Sequence, residues 1–311
     1  MKKRALTVVM IAGFAIAVAA VAAGGAAAAQ NWRDDDRDWK SFKTEDIRKT
    51  LSFPDPAKPG EVAVDNVFGP VTVEGYAGTE VVLEARKVVY ARDEARARKA
   101  EDEVRLDIAV KGDPIELYVD GPFREEDREG RSRGVRIRRD PGYRVYYGFR
   151  LKVPAKAGLY VSTVTDGDVE VRGVEGTFDI RNVNGKVRVI DAAAAGDART
   201  VNGGVTVVFR REPGGACLFK TVNGDVEVGF PAAPAADFRV ETMNGEAYSD
   251  FDLTRLPRAL PVREERRERD GKSVYRWDGA YGVRSGKGGP EIRLETLTGD
   301  ILIAKRSKLM S

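Results

Sequence analysis

Apolar and polar residues alternate on both sides of a regularly spaced glycine in the centre of the chain. In one unit Phe178 and Ile180 precede Gly185, and Val187 and Val189 follow it. Alternation with a period of two and with β-branched side chains predicts a strand on each side of the glycine. Asparagine followed by glycine predicts a sharp change of direction between them, because glycine takes positive φ at little cost and asparagine tolerates it.

This glycine-centred unit recurs seven times. The copy at 219–228 reads FKTVNGDVEV, and the copy at 294–303 reads LETLTGDILI. In the middle block, successive central glycines are 18, 18, 21 and 21 residues apart. Such a period predicts a repeat fold in which each unit buries its apolar face only against its neighbours. The predicted turn residues of the repeats are Gly69, Gly167, Asn184, Gly185, Asn202, Gly203, Asn223, Gly224, Asn244, Gly245 and Gly299.

The unit fits two arrangements of strands. In one, Asn-Gly closes a two-residue hairpin between antiparallel strands. In the other, Asn-Gly is a corner of a coil, and successive coils stack in parallel about 4.8 Å apart. The repeat length favours stacking, since propeller blades need about 40 residues or more. The predicted fold is therefore all-β, a single-domain parallel β-solenoid of 18–21-residue coils, in which the four repeat asparagines lie one above another as an amide ladder.

Two elaborations of this domain are predicted. Residues 91–104 are rich in Ala, Glu, Arg and Lys, which favours an inserted helix. A charged insertion at 253–290 contains the run REERRERD, whose interleaved acids favour a solvated loop over a site for an anionic partner. The full predicted organisation is a signal peptide at 1–29, an exposed lead or linker at 30–58, the β-solenoid domain at 59–306 with its regular coils at 158–252, and a tail at 307–311.

The first 29 residues are typical of a secretory signal peptide. A basic start at residues 2–4 is followed by an uncharged stretch that ends in small residues at Ala27-Ala28-Ala29. The run is also long enough to act as an uncleaved anchor, although its weakly apolar Ala and Gly end favours cleavage. We therefore expect an exported protein with no stable membrane span after cleavage, placed in the periplasm, at the cell surface or outside the cell.

Composition narrows the possible functions. Three of the 52 basic residues lie in the predicted signal peptide, so the remaining chain has 49 basic and 49 acidic residues. A neutral chain lacks the strongly basic surface expected of a nucleic-acid binder. The chain contains no His, which removes the usual general base and metal ligand. Cys217 is its single cysteine, so no intrachain disulfide can form, and a small buried apolar role is expected for it.

Carboxylates beside the turns raise two chemical alternatives. Calcium could bind between coils, but the complete nonapeptide that supports such sites in β-helices is absent, and solvated carboxylates are the expected reading. Paired carboxylates could also cleave glycans, although no pair is singled out by the sequence. We therefore expect no cofactor, no metal and no enzymatic activity. The turn carboxylates are Asp166, Asp168, Asp225, Glu246 and Asp300.

The chain also resembles a known family. The Asn-Gly-Asp-Val and Thr-Gly-Asp-Ile strands, and the ending GKGGPEIRLETLTGDILIAK, resemble the bacterial putative-adhesin family of β-strand-repeat proteins, a domain family without an assigned function. The resemblance covers roughly residues 60–306 and implies an extracytoplasmic β-solenoid with no catalytic residues to carry over. It suggests a non-catalytic, adhesin-like scaffold that binds an envelope protein, a glycan or the envelope surface. An envelope-stress sensing module and a carbohydrate-active enzyme are the alternatives.

Overall fold

The computed structural model describes residues 39–55, 57–110, 112–126, 132–135, 141–257, 267–269, 272–274 and 281–310. The predicted signal peptide and the final residue lie outside these ranges, as does most of the charged run in the 253–290 insertion. In the described residues, no helix is both long enough and apolar enough to cross a lipid bilayer.

Within the described part of the chain, nine strands and one helix precede the regular repeats. They are β1 (Lys40–Ser52), β2 (Glu61–Asp65), β3 (Val71–Tyr76), β4 (Glu80–Ala91), α1 (Glu94–Glu103), β5 (Arg105–Ala109), β6 (Ile115–Asp120), β7 (Arg124–Glu126), β8 (Ser132–Val135) and β9 (Tyr143–Pro154).

The repeat region and the last part of the chain add the remaining elements. They are β10 (Gly158–Ser162), β11 (Val169–Arg172), β12 (Phe178–Arg181), β13 (Val187–Ala192), β14 (Gly196–Arg199), β15 (Val205–Phe209), β16 (Cys217–Lys220), β17 (Val226–Phe230), β18 (Ala236–Asn244), β19 (Ala247–Ser249), β20 (Leu253–Arg255), β21 (Arg267–Arg269), β22 (Lys272–Val274), β23 (Tyr281–Ser285), β24 (Glu291–Thr298), β25 (Ile301–Lys305) and α2 (Arg306–Leu309).

The chain is all-β, as predicted, and its strands form two large sheets that are not closed. Sheet A has the order β1-β4-β9-β3-β11-β13-β15-β17-β25-β19, and sheet B has the order β20-β23-β18-β24-β16-β14-β12-β10-β2-β6-β5. Both sheets are mixed, because antiparallel strands flank the parallel ladder at one end of sheet A and at both ends of sheet B. A purely parallel solenoid over 59–306 is therefore an incomplete description of this fold.

Each repeat contributes one strand to each sheet. In the copy centred on Gly185, β12 belongs to sheet B and β13 to sheet A, and both pair in parallel with the strands of neighbouring repeats. We call such a pair of strands with its glycine corner a coil. The two strands of a coil do not pair with each other, so the hairpin alternative is wrong for the regular repeats.

The space between the two sheets is filled by columns of β-branched and aromatic side chains. In sheet A, one inward column consists of residues with no exposed surface: Val71, Val169, Val187, Val205, Val226 and Ile301. Burial of each such side chain contributes roughly 1.5–3 kcal/mol. The column ends at Ala247, which pairs with Ile301 and is exposed. The core is therefore narrower where the stack ends, because a small residue occupies the last position of this column.

The order of the coils in space departs from their order in the sequence. The C-terminal repeat, β24 and β25, lies directly beside β16 and β17. The preceding repeat in the sequence, β18 and β19, lies beyond it and pairs with its other edge. The seventh copy in the sequence therefore lies between the fifth and the sixth in space, an order that was not predicted from the sequence.

The segment predicted as a lead or linker at 30–58 is corrected by the structure. Residues 40–52 form β1, which pairs antiparallel with β4 along almost its whole length at the edge of sheet A. Nearly all of its side chains are exposed, so alternation gave no signal for a strand. Charged residues along it suit an edge strand, because they discourage pairing with another chain.

The two predicted elaborations are both present. Helix α1 lies within 91–104 and begins after Asp93, whose side chain accepts a hydrogen bond from the backbone N–H of Arg96 at 2.9 Å. The described part of 253–290 contains β20, the β21–β22 hairpin and β23, and β23 pairs antiparallel with β18. The insertion thus extends sheet B past the last coil.

The Asp237–Arg284 pair joins β18 to β23 and makes that junction sensitive to acid. Arg284 donates from Nε at 2.7 Å and from a terminal nitrogen at 2.8 Å to the two carboxylate oxygens of Asp237. Its hydrogen bonds lower the pKa of Asp237 below the ordinary value. A carboxyl group whose pKa is lower in the folded state stabilises the fold above its unfolded pKa of about 3.9, and this stabilisation is lost as the pH falls through the folded pKa.

We therefore expect Asp237→Asn to lower the thermal midpoint at pH 6 and to have progressively less effect as the pH falls below about 4. Thermal unfolding of both proteins from pH 6 to pH 2.5 measures this convergence. Asp252→Asn, at an exposed position between β19 and β20, is the control and should leave the midpoint unchanged across the range. A difference between wild type and Asp237→Asn that stays constant down to pH 2.5 would contradict the assignment.

Candidate binding face at the repeat corners

The predicted turn glycines form one column through the stack, in the order Gly69, Gly167, Gly185, Gly203, Gly224, Gly299 and Gly245. At Gly203 the backbone has φ of +146°, and a Cβ there would lie inside van der Waals distance of the Gly185 carbonyl. Gly224 has φ of +147° and approaches the Gly203 carbonyl in the same way. These positions exclude a side chain both by conformation and by contact with the neighbouring coil.

A second column, made of Thr and Asn side chains, was not predicted from the sequence. These side chains donate hydrogen bonds to the glycine carbonyls from the inner side of the corners. Thr200, three residues before its own glycine, donates from Oγ1 to the Gly185 carbonyl of the preceding coil at 2.9 Å. The same bond is made by Thr221 to Gly203 at 2.8 Å. Because these hydroxyls are buried, the hydrogen bond offsets their desolvation. Equivalent donors are Thr163, Asn182, Thr296 and Thr242. A Thr or Asn three residues before the glycine, or four before it in the copy at 162–171, was the signal that could have revealed them.

The predicted amide ladder is present for three of the four asparagines. Asn202 donates from Nδ2 to Oδ1 of Asn184 at 2.7 Å, and Asn223 donates to Oδ1 of Asn202 at 2.8 Å. The next position in the column is Thr298, and Asn244 follows it. The prediction that Asn244 stacks on Asn223 is therefore wrong, because the C-terminal coil separates them.

The turn carboxylates bind backbone amides of the next coil. Oδ1 of Asp225 accepts from the N–H of Asp300 at 2.8 Å, and Oδ1 of Asp300 accepts from the N–H of Glu246 at 2.8 Å. Asp168 accepts in the same way from the N–H of Lys186 at 2.7 Å. In the described part of the chain, no group of three or more His, Cys, Asp or Glu is placed to hold a metal ion. These acids therefore have a structural role between coils.

An apolar ridge runs along the outside of the corners. It comprises the residue that follows the inner Thr or Asn in each of five copies: Val183, Val201, Val222, Leu297 and Met243. Their backbones are in register, since the Asn202 N–H donates to the Val183 carbonyl and the Asn223 N–H to the Val201 carbonyl. Neighbouring side chains along the ridge are therefore about 4.8 Å apart.

The corner ridge is most exposed at the end of the stack. Val201, Leu297 and Met243 expose 37 %, 41 % and 74 % of their surface. Exposed carboxylates line one side of this end, at Asp225, Asp300 and Glu246. Half-buried Glu295 and Glu241 lie on the other side, in sheet B. An apolar strip rimmed by polar residues is the kind of surface at which proteins contact partners.

Cys217 lies away from this face. It is buried with 3 % exposure, as expected from the sequence. Burial raises the pKa of its thiol to about 11. Since the thiolate is the reactive form, this cysteine is unreactive near neutral pH.

Comparison with known proteins gives weak likenesses only. No family model matches the sequence, and no curated protein matches it. A solved structure described as a putative cell adhesion protein from Clostridium sporogenes is similar at 11 % identity and a TM-score of 0.41, covering 85 % of this chain and 100 % of that one.

A second structure, described as a putative adhesin from Parabacteroides distasonis, is similar at 8 % identity and a TM-score of 0.22, covering 85 % of this chain and 97 % of that one. Likenesses this weak support no inference about function. The family resemblance of the repeats stays a prediction, and the proposal below rests on the geometry of the corners.

Proposed function

We propose that the protein is a non-catalytic, adhesin-like scaffold of the bacterial cell envelope, exported by its N-terminal signal peptide, whose stacked coils form a solenoid-like rod. The observation that carries the proposal is the exposed corner ridge. Its apolar residues recur at one position in five of the repeats, and three of them expose more than a third of their surface. Burial of such a strip against a partner provides the favourable free energy for binding.

The polar groups beside the ridge suit a binding role better than a chemical one. The amides of the ladder and the turn carboxylates accept or donate hydrogen bonds between coils, which fixes their positions. Rigid, pre-organised groups lose little conformational entropy when a partner binds. The carboxylates at the exposed end favour a partner segment that combines apolar with basic side chains, since charges across an interface are complementary.

A pair of matched variants tests this proposal. Val222→Glu places a charge on the ridge, and Leu218→Glu places the same charge on the outer surface of sheet B in the same coil. Binding of purified protein to intact envelope fragments is measured by sedimentation over a range of concentrations. We expect Val222→Glu to weaken binding by at least about tenfold, which corresponds to roughly 1.4 kcal/mol, and Leu218→Glu to bind like wild type.

Both variants must keep the wild-type urea midpoint, so that a difference in binding arises from the changed surface and not from a loss of folding stability. Equal binding by the two variants would show that the ridge is not the contact surface. If wild type itself does not sediment with the envelope while deletion of the protein changes an envelope-stress response, the sensing alternative replaces the scaffold proposal.

A further inference from the structure

The out-of-order position of the C-terminal repeat creates an unusual slot in the stack. This slot lies between the coil of β16 and β17 on one side and the coil of β18 and β19 on the other. After β17 the chain forms the coil of β18 and β19, which lies on the far side of the slot. The slot itself is occupied by β24 and β25, which come later in the sequence. Every other neighbouring pair of coils between β10 and β17 follows the order of the sequence.

The filled slot is held by the same interactions as the rest of the stack. On one side, the N–H groups of Gly224 and Val226 donate to the carbonyls of Thr298 and Asp300 at 2.8 and 2.9 Å. On the other side, the N–H of Gly299 donates to the Asn244 carbonyl at 3.0 Å. The inward side chains of the inserted coil are almost fully buried: Ile292, Leu294, Ile301 and Ile303. The backbone groups that bond the inserted coil thus belong to the two coils that flank the slot.

The repeat at 236–249 matches the slot less well than the C-terminal repeat does. Its strand β18 has large apolar residues in register with those of β24. In sheet A, however, Ala247 and Ser249 stand in register with Ile301 and Ile303. Less apolar surface would therefore be buried if this coil took the place of the C-terminal coil beside β16 and β17.

Local attachments of the inserted coil outside the slot are weak. A loop with two left-handed glycines, Gly286 and Gly288, leads into β24. Beyond β25, the Arg306–Asp191 and Lys308–Asp250 pairs fasten α2, and these ion pairs are partly exposed. Ion pairs of this kind contribute little to stability. The burial inside the slot is therefore the main force that keeps the coil in place.

We propose that residues 291–310 are a donor coil that fills the equivalent slot of a second copy of this chain. An identical slot in the second copy offers the same hydrogen bonds, the same apolar burial and the same ion pairs. Exchange of an identical element between protomers therefore changes only the path of the connecting segment. Reciprocal donation closes a twofold dimer, and one-way donation extends a chain of copies.

Cysteine trapping between two differently tagged, co-expressed chains tests this proposal. One chain carries Asn223→Cys and the other carries Thr298→Cys, both in a Cys217→Ala background. These positions are bridge partners in neighbouring coils, and parallel neighbours are about 4.8 Å apart, which lies within the range that a disulfide can span. A disulfide between the two chains requires that the donor coil of one lies beside β17 of the other.

The matched control uses Asn184→Cys and Asn202→Cys in separate chains. This pair is also a bridge between neighbouring coils at exposed corner positions, but neither residue belongs to the donor coil. After oxidation, capture on one tag and detection of the other quantify the covalent heterodimer. We expect the 223–298 pair to give at least about ten times as much heterodimer as the 184–202 pair, and both to dissociate on reduction.

Equal yields from the two pairs would overturn the proposal, because they would report chance collisions of exposed cysteines. Absence of heterodimer from both pairs would overturn it as well. The test does not depend on the corner ridge, since wild-type ridge residues are kept in all four chains. Failure of the exchange would therefore leave the proposed binding function untouched.

Discussion

Replacement of Gly203 by alanine is expected to lower the free energy of unfolding by at least about 2 kcal/mol. The backbone there has φ of +146°, and holding an L-residue in such a conformation costs on the order of 1–3 kcal/mol. The added methyl group would also press against the Gly185 carbonyl, and relief of this overlap requires the two coils to separate locally. Overpacking of a tight contact costs about 1–3 kcal/mol more.

Gly214→Ala is the matched control for this substitution. Gly214 lies in the return between β15 and β16, and a Cβ there would have no heavy atom within 4 Å. We expect this variant to stay within about 0.5 kcal/mol of wild type, as most surface substitutions do. Urea denaturation followed by circular dichroism compares the three proteins. Similar midpoints for Gly203→Ala and Gly214→Ala would mean that the coils can separate without cost, and that the glycine column is not a structural requirement.

Phe230→Ala is expected to destabilise the protein by about 3–5 kcal/mol, the range found for large buried aromatic residues. Phe230 is fully buried. Its ring stacks on Phe209 with centroids 5.3 Å apart and meets Phe238 edge-on at 5.9 Å. Loss of the ring therefore leaves a cavity between coils and removes two aromatic contacts at once.

Phe42→Ala provides the comparison for Phe230→Ala. Phe42 exposes 39 % of its surface and sits at an irregularity in the pairing of β1 with β4. It should change the free energy of unfolding by less than about 1 kcal/mol, because little burial is lost. Differential scanning calorimetry of both variants measures the contrast. If Phe230→Ala melts like Phe42→Ala, the aromatic residues at this end of the core are not packed as described.

Much of the central architecture could be predicted, because the residue pattern within each repeat indicates its strands and its corner. Alternation around Gly185 and Gly203 indicated strands on both sides of a corner, and a period of 18–21 residues favoured stacking over hairpins. The three stacked amides follow from the same regularity. Helix α1 was predictable from local composition alone, since it depends on helix propensity and on the capping Asp93.

Features that depend on distant parts of the chain could not be predicted in this way. The motif around Gly299 is as regular as that around Gly245, so nothing local indicates which of them lies beside Gly224. Strand β1 was missed because its side chains are exposed on both faces, which removes the alternation by which a strand is recognised. The inner threonines were missed for a different reason, since Thr is common in strands and each of them reads as one more β-branched strand residue.

Only part of the candidate binding face could be predicted from the sequence. Asn202 and Asn223 were expected to stack as part of an amide ladder, and they do. The valine that precedes each of them reads as one more β-branched strand residue, and only the stacked structure shows that these side chains face solvent in a row. Acids such as Asp225 and Asp300 read as free turn carboxylates, whereas they hold the N–H groups of the next coil.

The late filling of the slot has a consequence for how the chain reaches its native state. Thr221 and Glu295, whose backbones bond across the slot, are separated by 74 positions in the sequence, and the Thr296 hydroxyl bonds a carbonyl 72 positions away. Contacts between such distant segments form slowly, because loop-closure entropy is lost before the contacts stabilise the structure. The nascent molecule therefore keeps an uncovered apolar surface at the slot until its final twenty or so residues are in place, and a chaperone would find its longest-lived binding site there.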